Sequence, residues 1–144
     1  MDKRDYLIGS YAKGKKNFAN EGLDDADVSN ADLRGINLSG ASMNQFFADG
    51  ANLSRADLSN VRAYQAGFTE TDLSEANLSG ADLGSCSFLR ANLHNANLSG
   101  AKLDGANFKD ANLDGANLKG AIFSDTYMSD GTVRNDHSDQ IDEL

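Results

Sequence analysis

Apolar residues recur at every fifth position through most of this chain. With the apolar residue taken as the third of five, the pattern runs unbroken from Phe18 to Met128, which gives 23 centres at residue numbers ending in 3 or 8. The clearest run, from Ala91 to Gly120, reads ANLHN ANLSG AKLDG ANFKD ANLDG ANLKG. Each unit has Ala first and Leu or Phe third, so one short motif organises the chain.

A period of five fits neither a continuous helix nor a continuous strand. Five helical residues rotate the chain by about 140° from one centre to the next, so the centres would not form a stripe. In a strand, an odd period sends successive centres to opposite faces. The pattern therefore predicts a chain that turns at every repeat, so that all centres point to a common axis in a solenoid.

The A(D/N)LXX signature of residues 91–120 resembles that of the pentapeptide-repeat family. The insertion-free build, with a helical segment before the repeats, is similar to the small cyanobacterial members. This resemblance implies an all-β fold, a right-handed quadrilateral parallel β-helix in which four pentapeptides form one square coil. On that basis the 23 repeats correspond to about six coils.

The four-fold coil can be tested within the sequence, because residues 20 apart should then stack. Phe68, Phe88 and Phe108 fall into one such column, which predicts a stacked core column of three rings. In the same column the large residue moves to Phe46 and the centre shrinks to Ala48. Such an exchange keeps the core volume roughly constant, as dense packing demands.

The pattern divides the chain into three parts. Residues 1–15 are predicted to form a short N-terminal capping helix and turn, with the helix over DYLIGSYA at 5–12. Residues 16–130 form the β-helix, and residues 131–144 form a C-terminal edge cap followed by a flexible acidic tail. A cap is expected because an uncovered backbone edge invites aggregation.

Two arrangements would hide the C-terminal edge. Residues 131–135 can fold over it and leave a monomer, or two chains can meet there and bury Phe123, Tyr127 and Met128. The dimer is suggested by resemblance to the quinolone-resistance members of the family. The monomer is slightly favoured, because acidic tails would repel each other across a two-fold axis.

Composition predicts where the protein is located and argues against a membrane-spanning or secreted protein. The 144 residues are 40% hydrophobic and 24% charged, with a net charge of −9, which predicts a single domain. There is neither an apolar run of about 20 residues nor an evident signal peptide, so we expect a cytoplasmic protein without membrane insertion. The one cysteine, Cys86, occupies a slot usually held by Ala and is expected to be a small core residue.

Two clusters of polar residues have the residue types of a catalytic triad and of a calcium site, but each lacks other features that such a site needs. Ser74, His94 and Asp114 occupy one slot on consecutive coils, in the order of a catalytic triad. A flat wall without loops provides neither a pocket nor an oxyanion hole, so a hydrogen-bonded surface ladder is expected and a hydrolase is the least favoured function. A run of acids hints at a calcium loop but lacks the glycine and the terminal glutamate that such a loop needs: Asp24, Asp25, Asp27 and Asp32. The sequence therefore predicts no enzyme, no cofactor and no metal.

The leading hypothesis is a non-enzymatic interaction or scaffold protein with an unknown protein partner. Candidate contacts are Phe47 and Tyr64, exposed aromatics that either cover the glycines one coil away or bind a partner. No small-molecule substrate and no direct nucleic acid binding are expected. The alternative, by resemblance, is a DNA mimic that acts on DNA gyrase. Residues 16–130 carry 16 acids and 8 bases, a net charge of −8. Duplex DNA as long as a rod of six coils, on the order of 28 Å, would carry roughly 16 negative charges, so the rod has about half the charge that a DNA mimic would need.

Overall fold

The chain winds into a four-sided parallel β-helix. The structure is a computed structural model that describes residues 1–136. Its backbone pairs are parallel and always join residues 20 apart, from Asn17 with Asn37 to Asn107 with Tyr127. The predicted stacking at intervals of 20 is therefore confirmed. Besides these bridges the described chain has one helix, α1 (Lys3–Ala12), and two short strands, β1 (Thr126–Tyr127) and β2 (Val133–Arg134).

The repeat centres and the slots two before them fill the interior. The rings of Phe68 and Phe88 lie 5.2 Å apart at 9°, and those of Phe88 and Phe108 lie 4.8 Å apart at 3°. All three side chains have no exposed area. Phe46 and Ala48 are also fully buried, so a large residue in the first slot of a repeat does replace a large centre in this column.

The last residue of each repeat from Asn20 to Asp125 lies in the left-handed region of φ. Glycine adopts this conformation at no steric cost, as at Gly80 with φ 66°. Larger residues also occupy it, including Arg55 and Glu75, both with φ 59°. A second contact fixes many of the turns: where the residue before the centre is Asn or Asp, its side-chain oxygen accepts a hydrogen bond from the amide of the residue after the centre, as Asn77 Oδ1 does from Ser79 at 3.0 Å.

Helix α1 lies against the first coil and begins two residues earlier than predicted. Asp2 is its N-cap and accepts a hydrogen bond from the Asp5 amide at 2.8 Å, which explains the earlier start. Side chains of the helix donate to carbonyls that would accept from a preceding coil. The pairs are Lys3 with Asp24 at 2.7 Å, Arg4 with Asp27 at 2.8 Å, and Tyr11 with Arg34 at 2.6 Å.

At the other end the chain folds back over its own last coil. Strand β2 pairs antiparallel with β1. Carbonyls of Thr132 and Asp136 accept from the amides of Met128, at 2.7 Å, and Phe123, at 3.0 Å. The Arg134 guanidinium lies 4.0 Å from the centre of the Phe123 ring. The predictions for His137 and for the acidic tail fall on residues 137–144, which lie outside the described residues.

Candidate interaction surface

Large apolar side chains are exposed at few places on this rod. We number its sides 1 to 4 in chain order, so that side 3 contains the phenylalanine column. Phe47 and Tyr127 are 41% and 50% exposed, and both lie just before a centre on side 3, in one unbroken ladder of backbone bridges. Tyr64, 51% exposed, lies at the corner where side 2 meets side 3.

Phe47 and Tyr64 each lie on a buried glycine of the next coil. A Cβ on Gly67 would meet Phe47 Cδ1 at 2.8 Å, and a Cβ on Gly84 would meet Tyr64 Cδ1 at 3.2 Å. The rings therefore cover bare backbone, as predicted from their spacing. Each ring nevertheless keeps about half of its surface in water, so covering a glycine does not use the whole side chain.

The two rings flank the same corner of neighbouring coils. Between them the Gln45 amide nitrogen donates to Gln65 Oε1 at 3.2 Å, and the Gln45 main-chain amide donates to the Tyr64 carbonyl at 2.9 Å. We call Gln45, Phe47, Tyr64 and Gln65 the aromatic corner. None of its four residues is charged. Phe47 and Tyr64 are 17 residues apart, and only the 20-residue stacking rule, applied across a corner, would have brought them together.

Side 3 continues from the aromatic corner to the C-terminal end of the rod. The ladder from Gly67 through Ser87 to Asn107 carries small or amide side chains. It ends in a shallow groove of about 340 Å³ between Asn107, Lys109, Tyr127 and Gly131. Side 3 thus has an aromatic ring near each end and a low floor between them, over four coils or about 19 Å.

Two residues predicted as interaction candidates are covered. Phe123 is 3% exposed and Met128 is 5% exposed, because residues 132–136 bond to their amides and Arg134 lies over the Phe123 ring. In this structure a partner can reach Tyr127 but neither of these two side chains. Phe123 and Met128 are thus corrected as candidate interaction residues, because the chain covers them itself, with residues 132–136 in place of the 131–135 expected for a monomer.

The residues in triad order form neither a triad nor a ladder. Ser74 Oγ donates to Asp72 Oδ1 at 2.7 Å, and His94 Nε2 lies 3.1 Å from the Asn95 amide nitrogen. All three residues belong to the described chain, and no hydrogen bond joins their side chains to one another. The hydrogen bond to Asp72 holds the Ser74 side chain within its own repeat, so it does not bond to His94 one coil further on. The expected surface ladder was therefore wrong.

The acidic run near the N-terminus is bound by the protein itself. Asp24 accepts from Ser42 Oγ at 2.6 Å, and this bond lowers the pKa of the Asp24 carboxyl. Asp32 pairs with Arg34 at 2.9 Å, and the guanidinium lowers the pKa of Asp32. These carboxylates point to separate protein donors and do not converge on one point.

Cys86 is buried and donates to the Ala63 carbonyl at 2.7 Å. Burial raises the pKa of its thiol to about 12, so the reactive thiolate is absent near neutral pH. Thr71 and Thr126 occupy equivalent slots and donate in the same way to the carbonyl 23 residues earlier. Small polar residues are accommodated inside the coil by this one contact.

Charges on the surface are dispersed and partly paired. Because residues 20 apart in the sequence stack, Arg55 bonds Glu75 at 3.2 Å and Arg90 bonds Glu70 at 3.4 Å, each across one coil. Other acids lie on all four sides, with Asp57, Asp82, Asp49 and Asp72 on sides 1, 2, 3 and 4. The described surface therefore has no single acidic side that would imitate a DNA backbone.

No helix within residues 1–136 has the length and apolar character needed to span a bilayer.

Comparison with known proteins adds the following. The sequence profile described as pentapeptide repeats matches in eight copies, at residues 23–45, 51–88 and 91–130. No curated protein matches the chain in sequence.

Solved structures with this fold include proteins of plants and bacteria. A pentapeptide repeat protein from the thylakoid lumen of Arabidopsis thaliana is 27% identical, with a TM-score of 0.61, and the match covers 83% of this chain and 73% of the other. One from the cyanobacterium Cyanothece 51142 is 26% identical, also with a TM-score of 0.61, covering 81% and 92%. QnrB1, a plasmid-mediated fluoroquinolone resistance protein, is 23% identical with a TM-score of 0.52, covering 80% and 67%. The last likeness concerns the fold alone.

Proposed function

Because this chain belongs to the pentapeptide-repeat family, whose right-handed quadrilateral β-helices are generally non-enzymatic, we propose that it is an interaction or scaffold protein. It works as a rod of about six coils over residues 16–130. Helix α1 caps the first coil, and residues 131–136 cover part of the last. The proposal includes a cytoplasmic monomer that binds a protein partner and carries out no chemistry.

The observation that carries this proposal is the aromatic corner. Two half-exposed rings and two glutamine amides stand together here, whereas the other exposed large apolar residues lie near the ends of the described chain: Met1, Tyr127 and Val133. Aromatic residues supply most of the strong contacts in protein interfaces, and charged residues are depleted at the centre of such interfaces. The aromatic corner has this composition. Because Gly67 and Gly84 have no side chains, the two rings can lie directly against the rod.

Side 3 extends the contact area beyond the corner. A partner that lies along this side meets Phe47 and Tyr64 at one end and Tyr127 at the other, with a low floor between them. A length of about 19 Å fits within an interface of ordinary size, which buries about 800 Å² on each partner. The aromatic corner supplies the binding energy, and the floor supplies shape complementarity.

The test compares two variants that each carry two substitutions to Ser. Phe47→Ser with Tyr64→Ser removes the aromatic corner, and Lys102→Ser with Asp104→Ser changes exposed residues of side 2 as a control that leaves the net charge unchanged. Partners captured from a lysate of the source organism by the wild-type chain are identified, and their affinities are measured for each purified variant by calorimetry. We expect the aromatic variant to lose at least about tenfold in affinity, because hot-spot aromatics each contribute about 2 kcal/mol or more.

Thermal melts accompany the binding measurements, since removing the rings also uncovers Gly67 and Gly84. A folded aromatic variant that binds as tightly as wild type would overturn the proposed site. Equal losses in the aromatic and side 2 variants would mean that the whole rod, and not the corner, determines binding.

A further inference from the structure

Within residues 1–136, the C-terminal end of the rod is closed on only two of its four sides. In inner coils the centre and the last residue of each repeat donate their amides to the next coil, as Leu98 and Gly100 do at 2.7 and 2.9 Å. In the last coil the amides of Phe123, Asp125 and Met128 find acceptors in residues 132–136. The corresponding amides of sides 4 and 1 have no acceptor within residues 1–136: Leu113, Gly115, Leu118 and Gly120.

The same two sides also lose side-chain cover. Leu113 is the one centre between Phe18 and Met128 that is only partly buried, and Ala116 is likewise partly buried. Their equivalents one coil earlier, Leu93 and Ala96, are 0% and 1% exposed. We call residues 111–120 the open edge. Within the described residues it combines backbone donors that have no acceptor with an apolar strip, which is the usual composition of a strand-addition site.

Strand β2 shows what fits such an edge. It runs antiparallel to the coil and places the carbonyls of Thr132 and Asp136 on the amides of two successive centres. A step of four residues along the added segment, from Thr132 to Asp136, thus matches a step of five along the coil, from Met128 back to Phe123. Residues Ala116 and Asn117 occupy, on side 1, the positions that β1 occupies on side 3. The open edge therefore continues the surface on which β2 is already bound.

From this continuity we infer that the open edge binds an extended peptide strand of a partner protein, antiparallel to residues 111–120. The strand places two carbonyls, four residues apart, on the amides of Leu118 and Leu113. Between them it directs an apolar side chain onto Leu113 and Ala116. This site is independent of the aromatic corner, since it recognises backbone and one apolar residue at the end of the rod.

The electrostatics of the open edge favour a partner strand without strong charge. Its exposed side chains are two amides, Asn112 and Asn117, with one acid, Asp114, and one base, Lys119. These two charges balance. An acidic or basic strand gains nothing from them, so main-chain hydrogen bonds and apolar contact determine the affinity.

The first experiment asks whether the open edge is free in the full chain. Amide hydrogen exchange is followed by NMR for Leu113 and Leu118, with Leu93 and Leu98 as paired references. We expect fast exchange at the first two and strong protection at the references. Protection of Leu113 and Leu118 in a monomer would show that the chain covers its own edge, and protection together with the mass of a dimer would show that a second copy does. Either result overturns the inference.

The second experiment supplies the strand. The probe is the acetylated and amidated peptide Thr-Val-Leu-Asn-Asp, which copies residues 132–136 with Leu in place of Arg134. We expect saturable shifts of the Leu113, Gly115, Leu118 and Gly120 amides at millimolar peptide, and slower exchange once the peptide is bound. The all-D form of the peptide should cause no shifts, because its backbone cannot form the same ladder.

A pair of charge-matched variants localises the contact. Ala116→Asp places an acid in the apolar strip and should weaken peptide binding at least tenfold, whereas Asn97→Asp changes the same side one coil further in and should bind as wild type. Peptide-induced shifts at the aromatic corner, equal binding by both variants, or no saturable shift with the L-peptide would each overturn the proposed site.

Discussion

The middle ring of the phenylalanine stack gives the sharpest test of the fold. Phe88 is fully buried and has a parallel ring on each face, at 5.2 and 4.8 Å. Truncation of a buried Phe to Ala costs about 3–5 kcal/mol through lost burial and the cavity left behind. Each stacked pair adds about 0.5–1.5 kcal/mol. We therefore expect Phe88→Ala to lie at the upper end, about 4–5 kcal/mol.

The neighbouring rings are natural controls for the stacking contribution. Phe68 and Phe108 are equally buried but have one stacked partner each. Their Ala variants should thus cost about 0.5–1.5 kcal/mol less than Phe88→Ala. Urea unfolding followed by circular dichroism measures the three losses, and thermal melts check them at about 2–4 °C per kcal/mol.

A second-site change tests whether volume or position matters. Phe46 and Ala48 show that this column accepts a large residue two places before a small centre. Cys86→Phe combined with Phe88→Ala copies that pair and should recover part of the stability. Equal losses for all three phenylalanines would refute the stacking term, and an unperturbed Phe88→Ala would refute the column itself.

Three further outcomes are expected. Arg4→Ala removes a donor to the carbonyl of the first coil at 2.8 Å, so dynamic light scattering should show faster aggregation than for Lys13→Ala at the exposed end of the helix. Thermal melts should show lower stability as the pH falls below about 4, because the pKa values of Asp24 and Asp32 are lowered in the fold; carboxylates of this kind stabilise above their unfolded pKa and lose that contribution in acid. In a gyrase supercoiling assay, micromolar excess of the chain should leave supercoiling unchanged, since its acids are spread over four sides and partly paired with arginines; clear inhibition would favour the DNA-mimic hypothesis.

The repeating core could be predicted from the sequence because one physical requirement recurs in every unit. Each turn must bury one large and one small residue, so the positions of Leu98 and Ala96 repeat with little freedom. The period of five excluded helix and strand, and the spacing of 20 then placed residues on common sides. Pairs such as Arg90 with Glu70 followed from that spacing alone.

The ends and the surface hydrogen bonds could not be predicted in this way, because they do not repeat. Nothing in the period indicates that Arg4 donates to the first coil or that Asp136 accepts from Phe123. The row of Ser74, His94 and Asp114 failed for a local reason. A serine two residues after an aspartate bonds back to it, and this short contact outcompetes a neighbour one coil away.

The two candidate binding sites follow from departures from the repeat. Within the rod, the backbone amides of each coil donate to carbonyls of its neighbours, and the apolar side chains are buried. An inner repeat that obeys the pattern therefore leaves neither apolar surface nor free backbone donors for a partner. Phe47 and Tyr64 depart from it by placing aromatic rings outside, which is stable only because Gly67 and Gly84 leave room one coil away. The open edge departs because, within residues 1–136, no further coil follows residues 111–120 on sides 4 and 1. The regular core makes the rod rigid, and the sites for recognition lie where that regularity ends.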